Sequence, residues 1–204
     1  MKIKNPDIRF LYDLKEVLYD QKWLKSAKNF PVYYMYRGIK PHMKSFDFLQ
    51  GKKKGDLRYD ITVILPKMLG IEFPKTKGHE HNKKYGEIYY VLEGRAIYLL
   101  QKFKKNQIED VYAVKAKKGE FVIVPPLYGH ITINPAKKEL IEANWVSENC
   151  QNIYTLFEKN HGACYYYTKS GWIKNKNYKK VPKLRFEKPL KEMPLNFRFL
   201  FGKK

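Results

Sequence analysis

This sequence predicts an all-β fold of the sandwich or barrel class, and three observations predict it. Short β-prone runs recur from residue 31 to residue 168, Gly and Pro punctuate them, and the run 59–65 alternates so that Ile61, Val63 and Leu65 share one face. A chain of 204 residues suits one such domain with extensions. A double-sheet jelly roll is one way to build it.

Three regions follow in order. Residues 1–30 read as a leader with one short helix, because Leu11, Leu14 and Leu18 recur at helical spacing and Phe30-Pro31 stops it. Residues 31–168 form the β domain. Its strands fall near 32–36, 59–65, 88–92, 96–101, 121–124, 131–134 and 139–147. Gly55-Asp56, Pro66, Gly70, Gly94, Lys118-Gly119, Pro125-Pro126 and Pro135 supply the turns. The run from Cys164 to Thr168 reads as a further strand. Residues 169–204 form a basic extension broken by Pro182, Pro189 and Pro194. Its Leu184, Phe186, Leu190, Leu195, Phe197, Phe199, Leu200 and Phe201 predict a tail that packs on the domain.

Composition excludes several classes. Hydrophobic residues make up 44% and aromatics 16%, which argues against disorder. No apolar stretch is long enough for a membrane helix, and no apolar signal core follows the first residues. Two cysteines make no disulfide framework, so a reducing, cytoplasmic setting is expected. The net charge of +21 favours anionic partners. It is concentrated in residues 169–204, which hold 12 basic and 2 acidic residues.

Chemistry concentrates in Gly78-His79-Glu80-His81, Glu87 and His130. On a strand, His79 and His81 point to one face. An isolated histidine is usually a satisfied surface or core residue, but three of the five histidines fall in this arrangement. Three imidazoles and a carboxylate suit Fe²⁺, Mn²⁺, Ni²⁺ or Zn²⁺ better than Ca²⁺ or Mg²⁺. They leave open positions for a substrate. Tyr89 shares a strand face with Glu87 by the two-residue period and lines the same space.

The spacing His79-x-His81-x5-Glu87-x6-Gly94 resembles the first cupin motif, slightly lengthened before the Glu. Gly119-x5-Pro125-x4-His130-x3-Asn134 resembles the second, with Leu127 where a small residue is usual. More of the chain is similar to the cupin-type glucose-6-phosphate isomerase family. The matching phrases are Pro31-Val32-Tyr33-Tyr34, Gly55-Asp56-Leu57-Arg58-Tyr59, Lys75-Thr76-Lys77-Gly78-His79-Glu80-His81, Glu87 through Gly94, Leu99-Leu100-Gln101, and Val124-Pro125-Pro126 through Asn134.

That resemblance implies a single cupin jelly-roll barrel and a metal-dependent aldose–ketose isomerase acting on glucose 6-phosphate and fructose 6-phosphate. It implies one divalent transition metal per subunit, Fe²⁺ foremost, on His79, His81, Glu87 and His130. It places the substrate phosphate on Tyr34, Thr62, Thr76 and Gly78, puts Tyr154 in the pocket, and implies a homodimer. Glu87 is then the candidate base for proton transfer, with a metal-assisted hydride shift as the rival route. Two positions depart from the family: Asn152 stands where a His is frequent, and Val146 where a pocket aromatic is usual.

Other readings stay open. The donor set also fits another metal cupin, a different sugar isomerase or a dioxygenase. Asn152 and Val146 keep a non-catalytic sugar-phosphate-binding cupin in view. Lys174, Lys176, Lys179, Lys180 and Lys183 interleave with Trp172 and Tyr178, a mixture that can bind single-stranded nucleic acid. A solvated basic face over a packed aromatic edge is the favoured account of that tail.

Overall fold

The computed structural model describes residues 5–39, 57–104 and 107–202. The turn expected at Gly55-Asp56 lies outside the described residues, as does His42. In chain order the first strands are β1 (Asp7–Phe10), β2 (Pro31–Tyr36), β3 (Leu57–Ile64), β4 (Glu80–His81), β5 (Glu87–Glu93), β6 (Arg95–Lys104) and β7 (Gln107–Lys117). There follow β8 (Phe121–Val124), β9 (Gly129–Ile133), β10 (Leu140–Ser147), β11 (Asn152–Ile153), β12 (Tyr165–Thr168), β13 (Gly171–Lys174) and β14 (Arg185–Glu187).

Two sheets carry the architecture. The larger runs β1-β2-β3-β10-β5-β8 and is antiparallel throughout. The smaller runs β14-β7-β6-β9, with β14 joining in parallel. Val32, Ile64, Val91 and Leu140 from the first sheet share one buried cluster with Ile97, Leu99, Val111 and Ile131 from the second. This is the all-β jelly-roll arrangement expected of a cupin. No helix among the described residues is long and apolar enough to cross a membrane.

The leader differs from the expected helix. Asp7–Phe10 extends the larger sheet, and Leu11–Val17 is a 3-10 helix that buries Leu11, Leu14 and Val17. Those three residues are three apart, the 3-10 repeat, in which side chains at i and i+3 eclipse. Leu18, 1% exposed, follows in extended conformation. A buried ion pair ties the leader down: Lys75 donates to Glu72 at 2.5 Å and to the Val17 carbonyl at 2.7 Å, while the Tyr19 N–H donates to Glu72 at 3.0 Å.

Several further elements were not foreseen, among them one long strand and one short helix. β7 is eleven residues long, but Glu109-Asp110 and the lysines at 115 and 117 mask its alternation. The short helix Thr155–Lys159 buries Phe157 beneath the site described below. The expected grouping of Ile61, Val63 and Leu65 on one face is observed for Ile61 and Val63 within β3, but that face is not the one turned to the cavity. Asp60 and Thr62 occupy the cavity face.

Part of the basic extension packs on the domain, while Leu195 is 97% and Phe186 55% exposed. Phe197 and Leu200 are buried against Tyr59, Ile88, Ala143 and Trp145 on the outer face of the larger sheet. The Tyr178 hydroxyl donates to the Gly162 carbonyl at 2.9 Å, and Trp172 lies 4.8 Å, ring to ring, from Tyr167. The tail aromatics named for base stacking are therefore engaged within the protein.

Candidate metal centre

Backbone pairing brings distant histidines together. His79 and His130 form an antiparallel bridge with N–H···O distances of 3.2 and 3.0 Å. β4 carries His81 and pairs with β11, so that Asn152 stands opposite His81. Glu87 opens β5, two strands across from Arg58. One ligand atom from each of His79, His81, Glu87 and His130 lies within 4.8 Å of the others. All four expected metal ligands thus converge.

The donor atoms fit a divalent transition metal. His81 Nδ1 lies 2.9 Å from the Tyr85 carbonyl, which fixes Nδ1 as the protonated nitrogen and leaves Nε2 facing inward. That Nε2 is 3.3 Å from Glu87 Oε2, and His130 Nε2 is 3.2 Å from the same oxygen. His81 Nε2, Glu87 Oε2 and His130 Nδ1 are buried without a hydrogen-bond partner among the described residues. Buried polar atoms are normally satisfied, so the unpaired His81 Nε2 and Glu87 Oε2, 3.3 Å apart, mark a place for an ion. The other Glu87 oxygen accepts from Asn144 at 2.6 Å, an outer contact that orients the carboxylate.

The electrostatics agree at three of the four groups. Burial opposes the Glu87 charge, but the adjacent His130 and His81 imidazoles outweigh it and hold the carboxyl well below the usual range. Burial also opposes charge on His81, yet its contacts with Cys150 and Glu87 win and raise it to about 10. Burial, then His130, drives His79 far below its ordinary value. Burial lowers His130 against the pull of Glu87. A neutral His79 and His130 beside an ionised Glu87 are the protonation states a metal requires, whereas His81 must give up its Nε2 proton when an ion binds.

The pocket beside these ligands is lined by Tyr33, Arg37, Arg58, Asp60, Thr62, Thr76, Gly78, Tyr89, Glu142, Asn144, Val146, Asn152 and Tyr154, among others. Tyr89 points in as expected, its hydroxyl 3.0 Å from His130 Nε2. Burial, then the charge of Glu87, pushes that phenol well above its ordinary value. Tyr154 lies 6.0 Å, ring to ring, from His79. Thr62, Thr76 and Gly78 are present too.

Tyr34 is not brought to this site. It pairs with Val63, whereas its neighbour Met35 pairs with Thr62 on the cavity face. The strand period of two therefore turns Tyr34 outward and makes Tyr33 the pocket tyrosine. Thr76 and Gly78 also have structural work. The Thr76 hydroxyl accepts from the Thr132 N–H at 3.0 Å. Gly78 has φ +84, and a Cβ there would meet Ile131 at 2.4 Å and Phe157 at 2.7 Å.

Sequence reading missed Tyr33, Arg37, Arg58, Asp60, Glu142 and Asn144 as pocket residues. A signal was present: Arg58, Asp60 and Thr62, then Glu142 and Asn144, recur at the two-residue period inside runs otherwise apolar. Polar residues at that period on a covered face mark a lined cavity.

Comparisons with known proteins follow the same line. A family model described as "Glucose-6-phosphate isomerase (GPI)" matches residues 8–183. A protein of Thermococcus litoralis named glucose-6-phosphate isomerase is 34% identical over 137 residues, covering 66% of this chain and 65% of that one. A namesake from Pyrococcus abyssi is 32% identical over 137 residues, covering 66% of each chain. The chain thus spans just under two thirds of the length of these relatives. Among solved structures, an oxalate decarboxylase from Lactobacillus farciminis in its formate complex superposes with a TM-score of 0.43 at 18% identity, over 61% of this chain and 31% of that one.

Proposed function

We propose that this chain, which belongs to the glucose-6-phosphate isomerase family, interconverts glucose 6-phosphate and fructose 6-phosphate at the centre formed by His79, His81, Glu87 and His130. The observation that carries this reading is the convergence of four ligand atoms within 4.8 Å in a pocket that also holds Thr62, Tyr89 and Tyr154. A divalent metal bound there, Fe²⁺ foremost among Fe²⁺, Mn²⁺, Ni²⁺ and Zn²⁺, would polarise the sugar carbonyl and stabilise negative charge developing beside it.

The chain's own groups do the rest. Asn144 holds one oxygen of Glu87, so the carboxylate keeps a fixed orientation. Glu87, ionised throughout the neutral range, is the candidate acceptor for the proton moved between C1 and C2 of the open-chain sugar. Tyr89 keeps its proton and presents a hydroxyl beside His130.

The test is chelation of the full chain followed by restoration of each metal, with fructose 6-phosphate conversion as the assay. Activity should return with one or more metals. His81→Ala should lose it with the bound metal, by more than about 100-fold, the upper range for an outer-contact loss alone. Conversion that survives chelation and the His81→Ala change would overturn the reading.

One observation favours a second reading, a sugar-phosphate-binding cupin without turnover. Asn152 stands opposite His81 and Val146 opposite Glu87, so both departures from the family face the ligands directly. Metal and sugar-phosphate binding without conversion would select it.

A further inference from the structure

The loop 82–86 joins β4 to β5, with His81 just before it and Glu87 just after it. Its start is pinned from β11's side. The Asn82 N–H donates to the Gln151 carbonyl at 3.0 Å, and the Gln151 N–H donates to the Asn82 side chain at 3.1 Å. Asn82, Lys83 and Lys84 are exposed, so nothing buried holds the middle of the loop. Its end is pinned by the C-terminal extension: the Gly86 N–H donates to the Phe199 carbonyl at 2.8 Å.

Two ligands depend on that end of the loop. The Tyr85 carbonyl lies 2.9 Å from His81 Nδ1 and so turns Nε2 inward. Gly86 is the residue from which Glu87 enters β5. A shift of Tyr85-Gly86 would therefore disturb a ligand on each side of the loop at once.

The extension is shaped to this dipeptide. Arg198–Phe201 forms a 3-10 turn between Phe197 and Gly202. Phe197 and Leu200 anchor the turn on the cluster that includes Ile88 and Trp145. Phe199 meanwhile sits on Gly86: a Cβ there would overlap the Phe199 ring and lie 2.9 Å from the Val124 carbonyl. Only glycine allows so close an approach. Gly202, left-handed at φ +65, lies against Tyr85, where an added Cβ would be 3.2 Å from the ring. The family match ends at residue 183, short of this turn.

We propose that Phe199 and Gly202 of the extension are positioning residues for the metal centre, clamping Tyr85-Gly86 so that His81 and Glu87 stay turned toward one ion. The proposal rests on the metal-centre reading and not on the identity of the substrate. The clamp acts through the loop and touches neither ion nor substrate. It supplies at the exposed end of the pocket the support that Asn144 gives Glu87 from within.

The test titrates Co²⁺ into the metal-stripped full chain and reads its visible absorption, which reports coordination without any turnover. Phe199→Ala should weaken Co²⁺ binding about 10–100-fold and change the spectrum, the size of effect expected when an outer support of a ligand is lost. Phe199→Leu, which keeps a side chain on Gly86, should recover most of the affinity. Gly86→Ala, which forces the turn off the loop, should repeat the loss and serves if Phe199→Ala does not fold. Leu200→Ala thins the anchor without touching Tyr85 or Gly86. It should bind Co²⁺ within about threefold of the wild type and with the same spectrum, whatever its stability. Unchanged affinity and spectrum in Phe199→Ala and Gly86→Ala, with Co²⁺ bound by the wild type, would overturn the proposal and leave the metal centre standing. A loss in Leu200→Ala as large as theirs would also overturn it, because packing alone would then explain all three. A wild type that takes up no Co²⁺ would sink the metal-centre reading and the clamp together.

Discussion

On β3, β5 and β10 the side chains that turn inward include Asp60, Thr62, Glu87, Tyr89, Glu142 and Asn144, whereas Tyr59, Ile61, Ile88, Tyr90, Ala143 and Trp145 turn outward. A jelly-roll strand usually does the reverse, apolar inside and polar out. Here the inner face looks onto a cavity with metal-ligand chemistry, so its polar groups have hydrogen-bonding work. The outer face is closed by Phe197 and Leu200 of the extension, and the Gly86 N–H, one residue before Glu87, donates to the Phe199 carbonyl at 2.8 Å. Farther along the same strands Ile64, Val91 and Leu140 return to an ordinary apolar core. One sheet therefore has two unlike faces: the outer one packs against the extension, and the inner one carries the residues that could hold a metal ion.

If that separation is real, the two faces should fail differently. The largest effect is expected at the outer face. Leu200→Ala, at a position 0% exposed, should cost about 2–5 kcal/mol of folding stability. Denaturant unfolding measures this, and metal affinity of the folded protein should stay within about threefold, since the ligands themselves are untouched. Equal losses of stability and metal affinity would break the comparison.

Glu142, on the inner face, should make stability depend on pH. Burial raises its carboxyl to about 8 from the usual 4.5. Between those values the folded chain binds a proton that the unfolded chain has released, so this group's contribution to stability falls as pH rises from about 4.5 to about 8. Glu142→Gln removes the titration. Its stability relative to the wild type should climb across that window by up to about 5 kcal/mol, because each tenfold difference in proton affinity between the folded and unfolded chains is worth ~1.4 kcal/mol. A flat difference between the two proteins would show that Glu142 ionises normally.

The smallest of the three effects sharpens the division. Asn144→Ala leaves Glu87 without its 2.6 Å partner. Metal affinity should drop about 10–100-fold with a lesser loss of stability. Retained affinity would mean that Glu87 is positioned by the strand alone.

Much of the site was legible because ligand sets obey local spacing. His79 and His81 are two apart, Glu87 opens a strand, and a second motif delivers His130; the four converge as expected. The succession of strands along the domain followed from turn residues and β-prone runs for the same local reason. What local pattern could not supply was facing. Tyr33 and Tyr34 are adjacent tyrosines, and only the pairing of Met35 with Thr62 decides which one enters the pocket. Arg58, Asp60, Glu142 and Asn144 sit in runs whose periodicity shows which residues share a face, but not which face is inside.

The sequence by itself determined the all-β class and a His/Glu cluster that could hold a metal, because each rests on residue type and short-range spacing. Only the tertiary structure decided that polar residues line the inside of β3 and β10, that Asn152 stands opposite His81, and that Arg58 and Glu87 occupy one row across Val146. Those relations come from strand register, and a one-residue change of register would send every side chain to the other face.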